Sequence, residues 1–365
     1  MALKPSLRNV LSQLQAEGVA LPERAEARAL SVLERHREAT AGSPWFVRAL
    51  AGFGAWLAAL FILAFLGLGV MWGEEVGAVI LGLICCGAAT LVRRVARDVF
   101  LTQLTLAFGL AGQGLLLGGV GGLSDSLEAT AAFAFVLFVV LLLVFPDTVQ
   151  RFLSAWGAPL ALLLLLRRVA SGLVVDVVLV GLAALTHQLF LHQGRLQRGR
   201  LGEAVTPAGF GLVTALFSVL LLRTFQLHER VFNESIAGAP AGVVTLGLAA
   251  VTLYTVLRML DETGLETGGT AGVTAFVALG LLALLTLRTP GIIASAGILV
   301  LAFHRRNVEL LGLAVLFVLT FGVRYYYDLS LSLLAKSLVL LGSGLLLFGL
   351  RLFILRRFPA DSEVR

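Results

Sequence analysis

The sequence predicts an all-α, polytopic integral membrane bundle, and three observations carry that prediction. Of 365 residues, 58% are hydrophobic and 14% charged, whereas a soluble domain is nearer 45–50% and about 25%. Mean hydropathy is +0.95. Apolar runs close to the ~20 residues needed to cross a hydrocarbon core recur from residue 46 to residue 355. The alternating segments of about ten residues that build a transmembrane barrel are not visible.

The net charge of +6 and pI near 10.0 would suggest nucleic acid in a soluble chain. In a membrane chain an excess of cations in the cytoplasmic loops explains the same balance, so no nucleic-acid partner is expected; the expected surroundings are the lipid bilayer. Cys85 and Cys86 are adjacent inside an apolar run. With no accompanying histidine pattern they read as small packing residues, and neither metal nor cofactor is expected.

Residues 1–44 are polar and read as a cytosolic amphipathic hairpin rather than a cleavable signal peptide. Leu7, Val10, Leu11 and Leu14 form one helical stripe, and Gly18 ends that helix. Pro22 opens a second helix, with Glu23 and Glu26 in its first turn and Arg35 and Arg37 near its end, as the helix dipole favours. Residues 45–357 form the membrane domain and 358–365 a cytosolic tail.

About twelve transmembrane segments follow in order. Segment 1 covers residues 46–72, between Trp45 and Trp72 as interfacial anchors. Segment 2 covers 76–92. Segment 3, 100–120, carries Gln103 and Gln113, and its Gly114, Gly118 and Gly122 form a GxxxGxxxG ridge. Such a ridge predicts close approach of a neighbouring helix. Segment 4 covers 129–145 and stops at Pro146. Segment 5, 152–166, contains Gly157 and Pro159, which predicts a kink or break.

Segment 6, 173–190, holds Asp176 and His187, eleven residues apart and therefore on one face, about 16 Å apart along the axis. Segments 7 (207–222), 8 (239–257) and 9 (270–287) precede a short segment 10 (291–303). Segments 11 (308–323) and 12 (329–355) complete the set. Seven of the 28 cations fall in or beside odd-numbered loops, counting Lys336 just inside segment 12, and the remaining 21 in or beside even loops and the termini. Both termini are therefore expected in the cytoplasm. Arg167-Arg168 is the pair that fits this split poorly. Neither Pro159 nor the short segment 10 has a counterpart in the other half, so the inverted repeat of many secondary transporters is not visible.

The densest polar stretch opens segment 12. Arg324, Tyr325, Tyr326, Tyr327, Asp328, Ser332, Lys336 and Ser337 lie within fourteen positions, and the chain's other lysine is Lys4. Arg324, Asp328, Ser332 and Lys336 repeat at i+4 and share one ridge. A lysine at membrane depth costs a few kcal/mol, and its pKa falls readily on burial, unlike that of arginine. Two readings stay open: an ion pair locking the bundle, or a proton-responsive or anion-binding group. Asp176, His187 and Gln113 are secondary candidates, with a proton relay along segment 6 as the functional alternative to ordinary buried polar groups. No HExxH, GxSxG or GxxxxGK[ST] occurs, so no catalytic residues and no enzyme activity are expected.

Two stretches carry a resemblance. One is Pro44-Trp45-Phe46-Val47-Arg48 leading into Gly52-Phe53-Gly54-Ala55-Trp56-Leu57-Ala58-Ala59. The other is Tyr325-Tyr326-Tyr327-Asp328-Leu329 through Leu333-Leu334-Ala335-Lys336-Ser337 to Gly342-Ser343-Gly344. Together they resemble the bacterial membrane family catalogued as domain of unknown function 4401. The resemblance implies a multi-pass protein of the bacterial inner membrane and supplies no catalytic residues. It also implies, as a partner, a membrane-associated protein with a GDYxxLxY-type motif. Two functional readings follow: a membrane component of a small envelope assembly, or a permease for a small polar or lipidic solute using the Lys336 and Asp328 cluster.

Overall fold

The computed structural model describes residues 75–96, 98–199, 201–224, 241–264 and 269–328, with scattered positions in 50–64 and 334–348. The hairpin expected at residues 1–44, Ser332 and Lys336 lie outside the described residues. Eleven helices follow in order, and no strand occurs among the described residues: α1 Glu75–Val95, α2 Val99–Ser124, α3 Leu127–Val144, α4 Thr148–Val169, α5 Gly172–Leu191, α6 Gln193–Leu196, α7 Gly202–Thr224, α8 Ala241–Glu262, α9 Thr270–Leu285, α10 Pro290–His304 and α11 Val308–Asp328.

Apart from the single turn α6, these helices fall on the segments numbered 2 to 11 in the sequence. Eight of them, α1 to α5, α7, α8 and α11, contain spans long and apolar enough to cross a membrane. The other two are shorter. With 16 and 15 residues, α9 and α10 reach only about 24 and 23 Å, less than the ~30 Å hydrocarbon thickness.

Local chemistry sets the boundaries. Asp125 takes a positive φ of 44°, a conformation that Asp tolerates better than most residues. Ser126 then caps α3 by accepting from the Ala129 N–H at 3.2 Å. Asp147 caps α4 by accepting from the N–H groups of Val149 and Gln150 at 2.9 and 3.1 Å. Each cap satisfies donors that the first helical turn leaves open. Pro290 opens α10, where its missing N–H costs nothing.

Of the kink or break predicted at Pro159, the break does not occur: α4 runs through it from Thr148 to Val169. Proline is tolerated inside a membrane helix where neighbouring elements hold it in place, and α4 packs against α3 and α7 along its length.

The described residues belong to two compact units. The first contains Ile80–Gly114; the second contains Glu75–Val79 and the chain from Leu115 onward. In the first unit the Cys86 thiol points at the Gly109 carbonyl, 3.5 Å away, and both cysteines are buried and free, as packing residues would be. In the second, α5, α7, α8, α10 and α11 enclose a core that includes Leu179, Phe217, Leu248, Ile298 and Phe321. Phe217 stacks on Phe317 at 4.0 Å between centroids and 16° between planes. Lipid tails are as apolar as leucine, so fit between helices, rather than escape from solvent, holds such a core together.

The glycines of α2 differ in what surrounds them. Among the described residues, a Cβ on Gly114 or Gly118 would meet nothing within 4 Å. Close approach occurs instead at Gly112, where a Cβ would lie 2.7 Å from Cys86 Sγ and 2.8 Å from Gly82 O, within the first unit. In the second unit it occurs at Gly119, 2.9 Å from Glu75 O, and at Gly122, 2.6 Å from Glu75 Cγ. Gly112 and Gly119, seven residues apart, share a face. Gly114 and Gly118 lie about 100–160° round the helix from it, on the face turned away from these contacts.

Candidate functional site

The second unit brings polar groups together at both helix ends and at one point between them. Alternate traversal explains the two ends: odd-numbered loops meet at one, even-numbered loops at the other.

At the odd-loop end, Asp176 in the first two turns of α5 is buried, 4% exposed. It accepts a hydrogen bond and ion pair from Arg223, in the last turn of α7. Nearby chain ends are tied by the Thr245 hydroxyl donating to Leu287 O at 2.9 Å and the Tyr325 hydroxyl donating to Leu285 O at 3.1 Å. Arg168 approaches Glu128 at 3.9 Å. That contact gives the poorly fitting Arg167-Arg168 pair a place: one of its two charges faces a carboxylate.

At the even-loop end, Arg151 meets Glu203 at 3.5 Å. Glu262, at the end of α8, accepts from Arg305 at 2.9 Å and faces His304 at 3.1 Å. A second Arg305 hydrogen bond reaches Leu191 O at 2.8 Å. Arg258 donates through Nε to the Tyr254 hydroxyl at 3.0 Å and lies 5.5 Å from the centre of that ring.

Between the ends, His187 is 2% exposed. It donates Nδ1–H to the Ala183 carbonyl at 2.8 Å, because a carbonyl can only accept. That leaves Nε2 as an acceptor, and it has no hydrogen-bond partner among the described residues. A Cβ on Gly297 of α10 would lie 3.0 Å from Nε2 and 2.5 Å from the Thr252 hydroxyl oxygen of α8. Three helices thus converge on one imidazole nitrogen.

Most buried hydroxyls are satisfied within their own helices. Thr90, Thr186, Thr252 and Ser295 donate to the carbonyls of Cys86, Leu182, Leu248 and Gly291 at 2.7–2.9 Å. This is the local solution available where no water competes. Gln113 donates likewise to Gly109 O at 2.9 Å. The Trp156 indole N–H crosses to the Ser218 hydroxyl at 3.1 Å. A cavity of about 710 Å³ between α3, α4, α5 and α7 is walled by residues such as Phe135, Leu163, Leu182 and Leu212.

Asp176 and His187 share α5 as predicted, yet the structure does not join them: Asp176 pairs with Arg223 of α7, whereas His187 bonds Ala183 within α5 itself. Of the segment 12 cluster, Tyr325 is anchored to Leu285, and the Tyr326 and Tyr327 rings meet edge-on at 5.6 Å. Asp328 ends α11, and Ser337 is exposed. Sequence reasoning missed the Arg223 partner of Asp176, and Gly297 and Thr252 beside His187. The first was accessible, since Asp176 and Arg223 both flank odd loops. Nothing in the spacing of Gly297 or Thr252 marked them. No group of three or more potential metal ligands occurs among the described residues.

A family model described as domain of unknown function (DUF4401) matches residues 44–357. The chain belongs to the DUF4401 family. The match begins where the polar N-terminal stretch gives way to the first apolar segment, so the family region takes in every helix described above. No curated protein and no solved structure matches the chain.

Proposed function

We propose that this DUF4401 protein is the membrane component of a small envelope assembly in the bacterial inner membrane. It crosses the bilayer about twelve times, with both termini and the residue 1–44 hairpin in the cytoplasm. The observation that supports this reading best is the nature of the interior. The buried hydroxyls of Thr186, Thr252 and Ser295 turn back to their own helices, and the large cavity between α3, α4, α5 and α7 is apolar. Such a bundle is built to hold its shape and present its ends. The proposed partner is a membrane-associated protein with a GDYxxLxY-type motif. No catalytic role forms part of the proposal.

The test is co-expression of the tagged chain with that partner, followed by purification in mild detergent. A complex of fixed stoichiometry that survives size-exclusion chromatography supports the reading. Two proteins that elute separately, each folded, refute it.

A second reading, a permease for a small polar or lipidic solute, draws on the unsatisfied Nε2 of His187 and the buried Asp176–Arg223 pair. Intramembrane ionisable groups mark solute and proton paths often enough to justify a test. An ordered chain of water or solute joining His187 to either helix end, seen in a lipid-embedded structure, would favour it over the assembly.

A further inference from the structure

The even-loop end contains a cavity of about 720 Å³ at the point where α5, α8 and α10 finish. Four arginines line it, Arg195, Arg198, Arg258 and Arg305, against two carboxylates, Asp261 and Glu262. Glu262 is already engaged by Arg305 and His304. Asp261 lies three residues after Arg258, at helical-neighbour spacing. The guanidinium groups of Arg195 and Arg198 make no ion pair or side-chain hydrogen bond among the described residues, and both side chains are exposed. The lining therefore carries two more positive charges than negative ones.

We infer that this cavity is a binding site for a phosphate-bearing anion. Two of its arginines are held in place and two are open, which is the division of labour such a ligand needs. Arg305 is fixed by Glu262 and by Leu191 O, and its Nε is buried with no acceptor among the described residues. Arg258 is fixed over Tyr254. Arg195 lies within the single-turn helix α6 and Arg198 two residues beyond its end, and both line the cavity. Guanidinium groups match phosphate oxygens through paired N–H donors and remain charged at every working pH.

Depth favours the same chemistry. The lining residues Leu191 and Glu262 are the last of two membrane-length helices, and Arg305 follows the end of α10, so the cavity opens at the level of lipid headgroups. Basic pockets between helix ends at that level take anionic headgroups. The same donors would accept a free phosphate compound from the adjoining water.

The experiment uses the full chain purified in a neutral detergent, with thermal unfolding midpoints read against added ligand. Three probes are compared: phosphatidylglycerol, phosphatidylcholine as the zwitterionic control with no net charge, and inorganic pyrophosphate. The parent should be stabilised by phosphatidylglycerol, by pyrophosphate, or by both, with no comparable response to phosphatidylcholine. A response to the lipid alone assigns a headgroup, a response to pyrophosphate alone assigns a soluble phosphate, and a response to both assigns a site open to either. Arg195→Gln with Arg198→Gln should leave the unliganded midpoint near the parent's and weaken the response by roughly tenfold or more in apparent affinity. Should the double variant fail to fold, each single variant reads the same loss. No response in the parent to either anionic probe overturns the inference. So does an undiminished response in the arginine variants.

Discussion

Gly211 is the position where α7 and α4 come closest to touching through backbone. A Cβ added there would lie 2.6 Å from Phe152 O, 2.7 Å from Ala155 Cβ and 3.0 Å from Trp156 N. Two of those three atoms are main chain, so no rotamer change can make room. Restoring ordinary contact, from 2.6 Å to about 3.4 Å, requires the helices to part by about 0.8 Å. A gap of that size forfeits a quarter to a half of the dispersion energy at each facing contact. Overpacking of this kind costs about 1–3 kcal/mol, and the better helix propensity of alanine returns up to about 1 kcal/mol. With that offset in full, Gly211→Ala should therefore lose up to about 2 kcal/mol, about 1 kcal/mol at the middle of the range. The assay is thermal unfolding in mild detergent at one fixed scan rate, because membrane proteins often unfold irreversibly. Gly181→Ala in α5 is the control, since a Cβ there meets nothing within 4 Å; it should be neutral or slightly stabilising. If Gly211→Ala unfolds at or above the parent's midpoint while Gly181→Ala behaves as expected, the α4–α7 contact does not have the closeness described.

Other substitutions test other parts of the account. Gly118→Leu should leave stability within about 0.5 kcal/mol of the parent, as for a site away from any close contact, because a Cβ there meets nothing within 4 Å among the described residues; a clear loss in the same unfolding assay would support the i+4 ridge. Arg223→Gln should cost up to about 3–5 kcal/mol by removing the guanidinium that pairs with buried Asp176, and adding Asp176→Asn should recover much of that loss. Failure of the second change to rescue would mean the pair is not the unit that matters. Ser218→Ala removes the acceptor of the Trp156 indole and should cost about 1 kcal/mol, with a shift in tryptophan fluorescence as the independent readout.

Much of the fold was legible because hydrophobic length is a coarse and robust signal. Segments 2 to 11 of the sequence each became a helix, and the short segment 10 became the 15-residue α10. What periodicity could not supply was rotation. Gly114, Gly118 and Gly122 share a spacing that suits packing, but when a helix is apolar all round the sequence does not say which stripe meets protein and which meets lipid. Hence the contact face runs through Gly112 and Gly119. At Pro159 packing on both sides of α4 keeps the helix continuous, so of the expected kink or break the break is absent. At the candidate sites, Asp176 and His187 were visible as ionisable residues inside apolar runs. Their partners were not, since Arg223 is 47 positions away and Gly297 has no functional group to notice. The even-loop cavity is assembled from three separate loops, and only the loop parity of its arginines hinted that they would meet.

The measurement that tests the account most directly is the sidedness of the two helix ends. Reporter fusions placed after Arg200 and after Arg306 should both read cytoplasmic, and one placed before Glu75 should read external. That result would put the arginine-lined cavity and the Glu262–Arg305 pair on the cytoplasmic face, with Asp176–Arg223 opposite. Fusions after Arg200 and Arg306 that read on different sides would contradict the alternate traversal on which the whole arrangement rests, and a matched pair reading external would invert it.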